Sequence, residues 1–186
     1  MSRRLDEPAR SAKAAVDRHL RVMRQTLVCV TATAFLYTSG AGATPSVLVS
    51  DRGGDFARLR RGTGADIYLD IGQRFRPYRQ PDGSWRVTLR EYAYSIYDQH
   101  PDAQAVRPLL AWHWHPGTRD HPHLHIRGAS DTVGSLHKLH VPTRRVTFEA
   151  VIDFVITDLD VEPARDDWRD QLSDATRRVE QHLTWR

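Results

Sequence analysis

Seven of the ten histidines of this chain lie between His113 and His140. Five of them fall within A-W-H-W-H-P-G-T-R-D-H-P-H-L-H-I-R, residues 111–127. Clustered imidazoles suit three chemistries. They bind transition metals through neutral nitrogens. They exchange protons near neutral pH, as RNA cleavage requires. One of them can attack phosphorus as a nucleophile. The alternative without chemistry is a solvated polar face on a half-buried sheet.

Which histidines meet depends on the element that carries them. In a strand, alternate side chains share a face. His113 and His115 then point one way, and Leu110, Trp112 and Trp114 the other. On a second arm His121, His123 and His125 share a face opposite Pro122, Leu124 and Ile126. P-G-T-R-D between the arms has the composition of a hairpin loop. Pairing His115 with His121 sets His113 against His123 and Ala111 against His125. All five histidines then line one side and an apolar row lines the other. A slip of one residue would destroy this two-sidedness, so the pattern predicts its own register.

The chain has 186 residues, 27% charged and 40% apolar, the profile of a soluble globular domain with a real core. Arginine outnumbers lysine 25 to 2. Residues 1–90 carry 16 basic and 8 acidic side chains, and residues 149–186 carry 5 and 10. A basic front half suits an anionic partner such as RNA, and ordinary charge patterning explains it equally well. The single cysteine, Cys29, allows no intrachain disulfide and no Cys-based metal finger. A metal such as zinc would have to be held by histidines, His113, His115, His121, His123 and His125, with Asp120 and Asp131 as the nearby carboxylates.

Residues 1–45 read as an N-terminal helix, Glu7 to Leu27, followed by an apolar segment, and they could be peripheral or processed. Ala12, Val16, Leu20, Met23 and Leu27 recur at helical spacing, with Pro8 in the first turn. The run Thr26 to Tyr37 is too short to span a bilayer and reads as a buried strand, so no stable membrane insertion is expected. On that reading the chain is expected to be cytoplasmic. A second reading starts translation at Met23 and takes A-G-A (residues 41–43) as a cleavage site, which makes 23–43 a signal peptide of a secreted protein.

Residues 46–186 read as one α+β domain: an antiparallel meander covered by C-terminal helices. A-D-I-Y-L-D-I-G alternates from residue 65. Pro77 marks an edge or bend, and P-D-G (residues 81–83) marks a turn. The stretch from Trp85 to Asp98 changes phase near Arg90 and Glu91, which predicts a bulge or a twist. His137 and His140 follow the hairpin, and His137 could fold back toward it. Thr147 is a good N-cap for a helix with the stripe Phe148, Val151, Ile152, Val155 and Leu159. E-P-A-R-D-D opens another, striped by Trp168, Leu172, Ala175, Val179 and Leu183.

Residues 85–160 resemble, in layout, the TumE-type toxins of bacterial toxin–antitoxin pairs. The shared features are a tyrosine-rich strand (Y-A-Y-S-I-Y-D), a Trp/His strand (L-L-A-W-H-W-H-P), a His-rich return (H-P-H-L-H) and a helix after P-T-R-R-V-T-F-E. The resemblance implies a cytoplasmic toxin acting on RNA or translation and an antitoxin partner. H-x-H-x-H at His121, His123 and His125 is also similar to the strand motif of histidine-triad nucleotide hydrolases, which implies a central nucleophile at phosphorus. The reading these favour is a histidine-based ribonuclease or nucleotide hydrolase. His113, His123 and His125 share acid and base work in it, Arg119 and Arg127 hold phosphate, and Tyr94 and Tyr97 stack on or hydrogen-bond the substrate. The competing reading is a transition-metal-binding protein.

Overall fold

A computed structural model describes residues 8–39, 46–50, 56–100, 107–117, 121–130, 134–135 and 140–185. Helix α1 (Ala12–Leu27) leads into strands β1 (Phe35–Ser39), β2 (Ser46–Ser50), β3 (Ala57–Leu59), β4 (Ile67–Arg79), β5 (Trp85–Tyr97), β6 (Leu110–Trp114) and β7 (His123–Ile126). Short strands β8 (Ala129–Ser130), β9 (Gly134–Ser135) and β10 (Val141–Pro142) follow, then helices α2 (Phe148–Thr157) and α3 (Trp168–His182) and a last strand β11 (Leu183–Trp185). The main sheet runs β1-β2-β4-β5-β6-β7-β10, with β3 added on β4 and β11 on β5. All its pairings are antiparallel except β11 on β5. This is the α+β meander with covering helices that the sequence predicts.

The N-terminal helix starts later than its periodicity suggests. Ser11 is the N-cap and its hydroxyl accepts from the Ala14 backbone N–H at 3.1 Å, so Pro8 stands before the helix and not in its first turn. The apolar run after it is a strand only from Phe35 onward. Thr26 and Leu27 close the helix, and Cys29 and Val30 are buried in the turn that follows. The core does not divide at residue 45. Leu20, Val22, Met23 and Leu27 pack in the same core as Phe75, Leu89 and Val179.

β4 runs unbroken through Pro77. Pro77 pairs with Val87 on β5, beyond the described pairing of β2 with β4. The turn at residues 81–83 forms as expected, with Gly83 at φ +83° and Asp82 accepting from the Ser84 backbone N–H. The bulge also forms. Arg74 pairs with Glu91 and Phe75 with Leu89, which leaves Arg90 without an opposite residue. That extra residue lets Val87 and Leu89 share the core face with Tyr92, Tyr94 and Ile96.

Thr147 caps α2, accepting from the Ala150 backbone N–H at 3.2 Å. α2 buries Phe148, Val151, Ile152 and Val155, and Phe154 meets Trp112 edge-on at 5.4 Å. α3 begins at Trp168, later than E-P-A-R-D-D, and ends before Leu183. Leu183 therefore belongs not to the helix but to β11, which pairs with residues 87–89 of β5 beyond the point where β6 stops.

Two consequences reach the histidines. The helices cover the face that holds Tyr92, Tyr94, Trp112 and Trp114. The other face of the sheet keeps small residues at its centre, Gly72, Ala93, Ser95 and Ala111, beside the histidines of β6 and β7.

Candidate metal centre on the histidine face

β6 and β7 pair Leu110 with Ile126, Ala111 with His125, Trp112 with Leu124 and His113 with His123. This is the register the two-sided pattern predicts. Trp112 and Trp114 on the covered side are 8% and 3% exposed and hold the hairpin down. Trp114 also carries the Arg145 guanidinium 4.5 Å from its ring centre, a cation–π contact. With the apolar row fixed, the histidines have one side left to occupy.

On that side His113, His123 and His125 each offer a ring nitrogen, and the three atoms lie within 4.8 Å of one another. His123 is buried, and His113 and His125 are half-buried. The His123 ring is oriented: its Nδ1 donates to the backbone carbonyl of His121 at 3.2 Å. A carbonyl only accepts, so Nδ1 carries the proton, and in the neutral ring Nε2 keeps its lone pair. That arrangement is the usual one for a metal-ligating imidazole. Burial, and after it the neighbouring imidazoles of His125, His115, His123 and His140, push the His113 pKa down to about 4. His113 is therefore neutral at pH 7, fit to ligate and unfit to serve as a general acid.

Two further histidines border the triad on the hairpin. His115 lies 5.4 Å from His113 between ring centres, and exposed His121 lies 6.2 Å from His123. Neither belongs to the convergent triad. His140 is the residue that sequence reasoning left out of the site. It precedes β10, which pairs Val141 with Leu124 and Pro142 with His123. Its ring stands 4.8 Å from that of His123 and 4.5 Å from that of His125. Edge pairing of β10 on β7 brings His140 in, and its local sequence gives no hint of that. His137, Arg119, Asp120 and Asp131 lie outside the described residues.

The proposed phosphate and substrate groups are dispersed. Arg127 continues the histidine side of β7 but is bound in an ion pair with Asp98, which holds the Asp98 carboxyl below its usual range. Tyr94 is on the covered face, fully buried, where its hydroxyl accepts from Gln73 Nε2 at 2.6 Å and its ring neighbours Phe148. It is a core residue, and the substrate role expected of it has no access to solvent. Tyr97 is half-buried and sits on the histidine face, but at the far end of β5, 5.6 Å from Phe56 between ring centres.

The donor set fits a late first-row metal. Three neutral imidazoles leave a tetrahedral ion with one position open. Zn–N bonds near 2.0–2.1 Å require nitrogens about 3.4 Å apart. The three atoms lie within 4.8 Å of one another, so an ion would have to draw them closer to reach that spacing. No family model, curated protein or solved structure matches this chain. No helix among the described residues is long and apolar enough to cross a membrane.

Proposed function

We propose that the chain binds a transition metal ion, zinc foremost, through His113, His123 and His125, and that the open position takes water or a substrate oxygen. The observation that carries this reading is the convergence of three ring nitrogens within 4.8 Å on a register-locked strand pair. The oriented Nε2 of His123 and the neutral His113 support it. Bound in this way, the ion would act as a Lewis acid or lower the pKa of its water. The basic front half of the chain fits RNA or a nucleotide as substrate.

The second reading leaves the histidines without metal and assigns them acid and base work on RNA, with an antitoxin as partner. The Nε2 lone pair of His123 favours it too, since it can accept a proton. Metal content separates the two. Untagged protein purified without chelators and analysed by elemental mass spectrometry should hold about one transition metal per chain, and the double variant His113→Ala, His123→Ala should hold none. Absence of metal after incubation with zinc or nickel would refute the metal reading. Growth arrest on expression, relieved by His123→Ala in metal-free protein, would then favour the toxin-like ribonuclease.

A further inference from the structure

A recess of about 660 Å³ opens at the β3 side of the sheet, between the turn after α1 and the segment joining α2 to α3. Phe56, Tyr68 and His100 supply rings, Arg58 and Arg60 supply cations, and Glu162 supplies one carboxylate. We propose that this recess binds a nucleoside monophosphate, with the base against the rings, the phosphate on Arg60 and the sugar hydroxyls toward Glu162. The site is separate from the histidines and does not depend on the metal reading.

The rings argue for a planar heterocycle. Tyr68 meets His100 at 5.0 Å and 80°, and Phe56 meets His100 at 6.3 Å and 71°. Tyr97 braces Phe56 from behind at 5.6 Å and 78°. Each edge-on contact sets one ring's edge against the other's face, so a further π system would take the ring surface still open to the recess. All four rings are only half-buried, where core aromatics of this chain such as Tyr92 and Phe148 are fully covered. A base stacked on such rings gains about 1–3 kcal/mol.

The charges argue for one phosphate and no more. Arg58 is already paired with Asp66 at 2.5 Å. Arg60 is exposed, and its guanidinium has no ion pair among the described residues. Its backbone carbonyl accepts from the Glu162 N–H at 2.9 Å, which joins the two backbones at the wall of the recess. A guanidinium and a carboxylate lining the same recess suit a monoanionic or dianionic phosphate with adjacent hydroxyls, the carboxylate accepting from the sugar. A triphosphate would meet Glu162 with like charge. The volume lies within the usual range of small-ligand sites.

The test is calorimetric titration of the full chain, stripped of metal with chelator, with AMP, adenosine, ribose 5-phosphate, ATP and a 5′-phosphorylated oligoadenylate. AMP should saturate the protein and bind more tightly than adenosine, ribose 5-phosphate or ATP. Arg60→Gln should weaken AMP about tenfold and leave adenosine unchanged. Phe56→Leu should weaken both, and His100→Ala provides the same readout if Phe56→Leu fails to fold. The His113→Ala, His123→Ala variant should bind AMP as the parent does, so failure of the metal site leaves this result intact. Oligoadenylate binding more tightly than AMP, and sensitive to Arg60→Gln, would identify the source of the ligand as an RNA 5′ end. No saturation by AMP or oligoadenylate up to millimolar concentration, or binding indifferent to both Arg60 and the rings, would overturn the proposal.

Discussion

His113 and His123 face each other directly across β6 and β7, their ring centres 5.8 Å apart and their planes at 82°. Opposed side chains on one face of a strand pair are the closest cross-strand neighbours a sheet offers. His125, next but one along β7, completes a triangle whose His113 side is 5.1 Å and whose His123 side is 5.0 Å. The geometry comes from the backbone pairing and not from long flexible side chains. Ligands on rigid strands lose little freedom when an ion arrives.

His140 should tune the ion without being indispensable to it. Its ring sits 4.5 Å from His125 and 4.8 Å from His123, outside the convergent set. His140→Ala should weaken zinc about 10- to 100-fold, as loss of a supporting group commonly does. His113→Ala should weaken it more, and His121→Ala, an exposed ring, should change it little. Competition against a chromogenic chelator measures all three. Equal losses for His121 and His113 would mean diffuse binding to a histidine-rich surface.

Much of this centre was legible in sequence because it depends on alternation. Trp112, Trp114 and Leu124 specify which side of the hairpin is buried, and the histidines take the other by default. The rest depends on contacts between distant segments. His140 arrives through a two-residue edge strand. Asp98 takes Arg127 from 29 positions away, and no local pattern marks such a pair. The Phe56, Tyr68 and His100 rings come together because β3 and the end of β5 both pair with the start of β4. Leu183 fits a helical stripe and still leaves the helix, since β5 offers an unpaired edge there.

Acid should destabilise the chain before it reaches the usual carboxylate range. His19 is buried in a small cavity lined by Gln73, Tyr94 and Glu149, its Nε2–H donating to Gln73 Oε1 at 2.9 Å. Burial pushes its pKa from 6.5 to about 4, with the Gln73 bond opposing. The unfolded chain therefore takes the proton first. Stability is full above pH 6.5 and is lost as pH falls toward 4, by on the order of 2 kcal/mol between pH 7 and pH 5. Half-buried His113 acts in the same direction. Burial raises the Glu149 carboxyl, which has the opposite effect: its proton is held more tightly in the fold, and stability falls as pH rises above 4.5. Urea midpoints of chelated protein across pH 5–7 test this. His19→Gln should flatten the acid slope, and an unchanged slope would exclude His19 as its source.

Removal of residues 1–45 should abolish the fold. Leu20, Val22, Met23, Leu27, Cys29, Val30 and Leu36 are each at most 7% exposed. Their burial contributes on the order of 10 kcal/mol, comparable to the whole stability of a typical domain. His19 and Thr26 would go too, leaving Gln73 and Glu149 buried without these partners. Circular dichroism and a urea melt of the 46–186 fragment would check this. A cooperative transition in the fragment would show that the first segment is dispensable and leave processing open.

Deletion of Arg90 should be far more damaging than its replacement. Arg90 is the extra residue that brings both halves of β5 onto the core face. Its side chain is exposed, so Arg90→Ala should shift stability by less than about 0.5 kcal/mol. Without the residue, one half of the strand must turn over. Either Val87 and Leu89 leave the core, or Tyr92, Tyr94 and Ile96 do, all of them at most 1% exposed. The first alternative already costs about 3–6 kcal/mol in lost burial. The second also breaks the Gln73–Tyr94 hydrogen bond and turns Tyr92 and Tyr94 toward the small-residue strip beside the histidines. The deletion should therefore lose both its cooperative unfolding transition and its zinc, while Arg90→Ala keeps both. A deletion variant that melts like the parent would mean that the strand absorbs the missing residue elsewhere and that the bulge does not set the histidine register.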